Sequence, residues 1–173
     1  MIGNLILGLA IGNAAGAAVN ASSATVKPLD GAFHQFRNVA NNLCLHSITS
    51  SWGSAIAKRP CQSGSLLQLW ASLTDSGSNI YRFENGATQS CLWAGDDLWE
   101  GQIIGSNECA VSGGTTVSNA QWDTGTALPN VVTLKSHVHF KTSNFCLDGG
   151  DAGDNVVIRT CNGGLSQKWV VGF

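Results

Sequence analysis

Apolar and polar side chains alternate along this chain in short runs. Phe33-His34-Gln35-Phe36 and Ile80-Tyr81-Arg82-Phe83 are two such runs, and Val138 and Phe140 alternate with His137, His139 and Lys141 in a third. A period of two belongs to a half-buried strand, because successive side chains of extended backbone point to opposite faces. After residue 27 no stretch has the periodicity of an amphipathic helix. The pattern predicts an all-β protein built from short strands.

The strands fall into three copies of one unit. Cys44-Leu45, Cys91-Leu92 and Cys146-Leu147 each open a second strand, and Cys61, Cys109 and Cys161 close a third. Gly53, Gly101 and Gly153 each stand eight residues before that closing cysteine. Trp70, Trp122 and Trp169 follow and mark a fourth strand. The first strands carry Phe36-Arg37-Asn38, Phe83-Glu84-Asn85 and Phe140-Lys141-Thr142. Repeats over about 33–73, 79–125 and 133–173 follow from these landmarks. A four-stranded unit of this size cannot bury its own apolar face. Three of them are expected to close into a twelve-stranded β-trefoil over 25–173, which leaves no edge strand open. The repeated Trp and Leu are expected in the shared core.

Composition narrows the function. Hydrophobic residues make up 43% of the 173, enough for a core, while charged residues are 12% and the net charge is -2. That balance lacks the clustered Lys and Arg of a nucleic-acid-binding surface. Six cysteines at repeated spacing predict three disulfides, one within each repeat, formed in an oxidising compartment. No C-x2-C pair occurs, and the four histidines are not spaced as zinc ligands, so no metal or other cofactor is expected. At the N-terminus an apolar run from Leu5 to Ile11 leads into small residues up to Ala24, although no Lys or Arg precedes Lys27. Residues 1–24 read as a secretory signal peptide or as a retained apolar arm. The run is too short and glycine-rich for a bilayer span, so the protein is expected to be secreted and not membrane-spanning.

The units Cys-Leu-Asp, Gly, Cys and Gln-x-Trp resemble the ricin B-chain family of β-trefoil lectins, the family 13 carbohydrate-binding modules. The third repeat carries the fullest match, with Cys146-Leu147-Asp148, Val156-Val157-Ile158-Arg159-Thr160-Cys161 and Gln167-Lys168-Trp169. The resemblance implies a carbohydrate-binding, non-catalytic protein with a glycan as partner. It implies a sugar site made of a carboxylate after Cys-Leu, a nearby aromatic platform and amides before the tryptophan. A pyranose suits such a set: its vicinal hydroxyls donate to a carboxylate and accept from amides, and its C–H face packs on a ring. Gln-x-Trp in that family is largely structural.

Only the third repeat keeps the carboxylate, Asp148; His46 and Trp93 stand there in repeats one and two. The third-repeat contacts would be Asp148, Gly149, Arg159, Ser166 and Gln167, with Gly149 and Gly150 giving access. Arg159 stands where relatives place an aromatic, and it suits an acidic sugar. The plainer readings are that Asp148 is a turn residue bonding its own backbone and that Arg159 pairs with it on the surface. Trp52, Trp93 and Trp99 lie outside the repeated tryptophans, as stacking platforms or as packing under their own loops. Asp96, Asp97 and Glu100 form an acidic group near Gly95 that is either a calcium site or a solvated loop. No catalytic motif appears, and His137 and His139 read as surface residues rather than a base. The alternative to a lectin is a degenerate trefoil that serves as an accessory, protein-binding or cell-binding subunit of a secreted assembly or toxin, with residues 1–32 at the interface. A protease inhibitor is a third class, for which no reactive-site loop is evident.

Overall fold

A computed structural model describes residues 33–49, 53–74, 79–110, 118–128, 130–137, 144–150 and 153–172. The N-terminal segment assigned to a signal peptide or arm lies outside these residues, as do Trp52 and His139.

Each repeat contributes four strands. In repeat one, β1 (Phe33–His34) and β2 (Phe36–Asn38) are the two halves of a first strand interrupted at Gln35. They are followed by β3 (Leu43–Ser47), β4 (Ile56–Pro60) and β5 (Trp70–Thr74). Repeat two contains β6 (Ile80–Asn85), β7 (Cys91–Trp93), β8 (Gly105–Asn107) and β9 (Trp122–Asp123). Repeat three contains β10 (Val131–Thr133) and β11 (Lys135–Ser136), again one strand in two pieces, then β12 (Phe145–Asp148), β13 (Val157–Thr160) and β14 (Lys168–Val171). A single 3₁₀ turn precedes each tryptophan strand, at Leu66–Gln68, Ser118–Ala120 and Leu165–Gln167. Three residues are too few to leave a periodicity, so pattern reading places no helix there.

The last strand of each repeat pairs with the first strand of its own repeat and of the next. β5 lies between β1 and β6, β9 between β6 and β11, and β14 between β10 and β2. The ring is therefore closed. The hairpins β3–β4, β7–β8 and β12–β13 cap one end of it. They meet in a cycle of backbone bonds, each of 2.9 Å: Ile56 N donates to Ile104 O, Ile104 N to Val156 O, and Val156 N to Ile56 O. The cycle satisfies three buried amides with no side chain involved.

The core is built in threes. Trp70, Trp122 and Trp169 are fully buried, as are Leu45, Leu92 and Leu147, and Ile56, Ile104 and Val156. Each indole Nε1 donates to the leucine carbonyl of its own repeat, at 3.4, 3.1 and 3.2 Å in chain order. Phe36 and Phe83 meet edge to face with centroids 4.8 Å apart. The third member of that set is Leu134, not Phe140. Leu134 precedes Lys135, the partner of Cys146, just as Phe36 and Phe83 precede Arg37 and Glu84, the partners of Cys44 and Cys91. The first hairpin of repeat three is four residues longer (135 to 146, against 37 to 44 and 84 to 91). That insertion misaligns a reading anchored on phenylalanine; Phe140 itself lies outside the described residues.

All six cysteines pair within their repeats, as Cys44–Cys61, Cys91–Cys109 and Cys146–Cys161. Rings of 15 to 18 residues remove roughly 3 kcal/mol of chain entropy each from the unfolded state on a loop-closure argument. The shared Gly53, Gly101 and Gly153 have φ of 75°, 81° and 58°, which explains the repetition. Each turns the chain back toward the third strand of its hairpin in the left-handed region that other residues avoid.

Candidate functional site

Asp148 ends β12, the strand opened by Cys146-Leu147, and turns away from the core at the rim of the barrel. Its side chain is nearly enclosed, with 2% of the residue exposed. Oδ1 accepts the Gly150 amide at 2.7 Å. Oδ2 accepts the Ser166 hydroxyl and the Gln167 side-chain amide, both at 3.1 Å. A carboxylate so enclosed needs these donors, because an unpaired buried charge is costly. The bond to Gly150 is the turn contact expected from sequence, and Ser166 and Gln167, two further candidate residues, bond the same carboxylate.

An open cavity of about 400 Å³ lies against this carboxylate. Asp148, Gly150, Arg159 and Ser166 line it together with Ala40, Asn41 and Asn162. Four residues singled out in the sequence thus converge on one cavity. Gly149 and Gln167 stand behind the lining. Gln167 is a strut: its Nε2 donates to Thr160 O at 3.0 Å and its Oε1 accepts Asn162 N at 2.8 Å. Gln68 makes the same two bonds in repeat one, to Pro60 O and Gln62 N. Repeat two has the buried Ala120 at that place, whose methyl side chain cannot make these bonds. Gly149 packs closely rather than opening access, since a Cβ there would come within 2.6 Å of Asn38 Nδ2 and 3.0 Å of Trp169.

Arg159 does not pair with Asp148. Its guanidinium faces Glu100 of repeat two, with Nη1 and Oε1 3.6 Å apart. Glu100 is held chiefly by the backbone amide of Thr160 at 2.8 Å, with the Thr160 hydroxyl and Arg159 assisting, and these donors keep its carboxyl below the usual carboxylate range. Repeat one repeats the device: Arg59 reaches Asp154 of repeat three at 2.9 Å. Both pairs cross between repeats and are open to solvent, so each contributes little to stability.

The remaining candidates lie apart. His46, next to last in β3, and Trp93, the last residue of β7, are half-buried in their own repeats. Burial, and then the nearby Arg59 charge, pull the His46 imidazole below its ordinary value. Trp99 projects from the turn before Gly101 with 59% exposed. The acidic group near Gly95 is divided, with Asp96 accepting from Asn119 at 2.7 Å and Glu100 turned to Thr160. No set of three His, Cys, Asp or Glu able to hold a metal occurs among the described residues.

Sequence reading missed the contribution of repeat one to this cavity. Asn41 Nδ2 donates to Gly149 O at 2.7 Å, and Asn38 Nδ2 to Ser166 O at 2.7 Å. The repeated Phe-x-Asn of the first strands was the available signal. Asn85 makes the corresponding bonds to Leu67 O and Leu69 O, so this asparagine ties each of the first two repeats to the 3₁₀ turn of the preceding one.

A profile of the ricin-type beta-trefoil lectin domain matches residues 32–169. No curated protein matches the sequence closely enough to count as a relative. Among solved structures, the chain is similar to a designed threefold symmetric protein, ThreeFoil, with a TM-score of 0.68 at 20% identity over 82% of this chain and 98% of that one. It is similar to the Polyporus squamosus lectin bound to Neu5Aca2-6Galb1-4GlcNAc, with a TM-score of 0.62 at 17% identity over 80% of this chain and 48% of that one. It is also similar to a chain of the cytolethal distending toxin from Actinobacillus actinomycetemcomitans, with a TM-score of 0.58 at 16% identity over 81% of this chain and 90% of that one.

Proposed function

We propose, from the premise that this chain belongs to the family of ricin-type β-trefoil lectin domains, that it is a secreted, non-catalytic carbohydrate-binding protein whose sugar site is the third-repeat cavity. The observation that supports this most is the convergence of Asp148, Arg159 and Ser166 on one open cavity with Asn41 and Asn162. A carboxylate, a hydroxyl, amides and a guanidinium offer the mixed donors and acceptors that pyranose hydroxyls require. Three disulfides fit an oxidising, extracellular setting.

Arg159 directs the choice of sugar. Among the described residues no aromatic platform lines the cavity, and a guanidinium pairs with a carboxylate in a fork that neutral sugars cannot supply. A sialic or uronic acid would take over the place Glu100 now holds opposite Arg159. Titration calorimetry with Neu5Acα2-6Galβ1-4GlcNAc and with Galβ1-4GlcNAc tests both statements. Tighter binding of the sialylated compound is expected, and equal affinity would remove the acidic preference. A glycan array without any binding would remove the lectin reading.

A second reading has its own support. Trp99 and Ile103 flank one turn with 59% and 49% exposed, an apolar pair suited to a protein surface. A chain of the cytolethal distending toxin shares the fold over most of its length. As an accessory or cell-binding subunit, the protein would keep its cell attachment in Asp148→Ala and lose it in a Trp99→Ala, Ile103→Ser double variant. The opposite result supports the sugar site.

A further inference from the structure

Lys58 is a charged residue inside the fold, with only 4% exposed. It lies on β4 of repeat one, opposite Leu45. Its Nζ donates to Gly149 O at 3.0 Å and also to Gly150 O, both in repeat three. Those two glycines form the turn that follows Asp148. Gly149 C=O and Gly150 N–H belong to one planar trans peptide, so they point in opposite directions. Holding the carbonyl toward Lys58 and Asn41 therefore aims the amide at Asp148 Oδ1, which it reaches at 2.7 Å. The peptide dipole is aligned with its negative end on an ammonium and its positive end on a carboxylate.

We propose that Lys58 is a positioning residue for the third-repeat site: a buried cation from repeat one that orients the Gly149–Gly150 peptide and, through it, the Asp148 carboxylate. The inference rests on the sugar-site reading above for its functional consequence. The threefold arrangement argues for it. Ser106 and Ile158 hold the corresponding place in the other repeats, opposite Leu92 and Leu147. Backbone bonds show which repeat each position faces: Lys58 N donates to Asp154 O, Ile158 N to Gln102 O and Ser106 N to Ser54 O. The lysine thus faces the one repeat with an aspartate after Cys-Leu. The isoleucine and serine face the repeats with Trp93 and His46.

Lys58→Met and Lys58→Gln test this in the full chain. Amide hydrogen exchange by NMR is read at Gly150, with Leu147, whose amide bonds Leu134 O at 2.8 Å, as the internal reference. Calorimetry with Neu5Acα2-6Galβ1-4GlcNAc is run in parallel. In Lys58→Met, Gly150 exchange is expected to rise about tenfold relative to Leu147, and affinity to fall about tenfold, the size of one lost charge-assisted bond. Lys58→Gln, which keeps a donor, should fall between Met and wild type. Should Lys58→Met fail to fold, the Gln variant carries both measurements. An unchanged Gly150-to-Leu147 ratio, or wild-type affinity in a folded variant, overturns the proposal. If wild type binds no glycan, the sugar-site reading fails, and the exchange ratio still decides whether Lys58 sets the turn.

Discussion

Trp169 donates its indole N–H to the carbonyl of Leu147 at 3.2 Å, and so closes its repeat from the inside. The acceptor is the residue before Asp148, so the core tryptophan also fixes the strand that presents the candidate carboxylate. Trp169→Phe leaves that carbonyl buried without its indole donor. A loss of about 1–3 kcal/mol is expected, read as a lower urea midpoint at unchanged slope.

The repeated glycines and the site glycine should respond differently. Gly101→Ala meets no atom within 4 Å, so its cost is the left-handed backbone alone, about 1–2 kcal/mol. Gly149→Ala drives a Cβ into Asn38 and the ring of Trp169. It should destabilise more than Gly101→Ala in thermal melts and also weaken sugar binding, whereas Gly101→Ala should leave affinity alone.

Asp148→Asn keeps the shape of the side chain and removes its charge. Affinity for the sialylated trisaccharide should fall by tenfold or more in calorimetry while the disulfides and the tryptophan core persist. Arg159→Ala should change stability by no more than about 0.5 kcal/mol, because its ion pair is half-exposed. Its expected effect is loss of the preference for the sialylated over the desialylated glycan. Glu100→Gln, which releases Arg159, should strengthen that preference.

Two half-buried groups give opposite pH slopes. Burial raises the Glu84 carboxyl against the opposing pull of Arg82. The folded state then binds more protons than the unfolded state just above the ordinary glutamate value of 4.5, so stability is lost as pH rises through that window. Burial lowers His46, with Arg59 second, so the unfolded state binds more protons below the ordinary value of 6.5 and stability is lost as pH falls. Denaturant titrations across pH should show Glu84→Gln gaining stability at neutral pH, and His46→Asn flattening the decline below 6.5.

By itself the sequence determined the threefold unit, the strand class, the disulfide pairing and the tryptophan core. Each of these is written as residue types at fixed separations within one repeat, and short-range spacing survives in a linear reading. Asp148, Arg159 and Ser166 were legible for the same reason, since they belong to one repeat and flank its landmarks. The first strand of repeat three was misplaced because a longer hairpin separates Leu134 from Cys146. Only the tertiary structure decided what surrounds the site. Asn38, Asn41 and Lys58 meet Gly149, Gly150 and Ser166 because ring closure sets β2 beside β14 and the hairpin β3–β4 against the turn after β12. Partners about a hundred residues apart leave no spacing signal, and a lysine among strand residues looks like surface until the fold turns it inward.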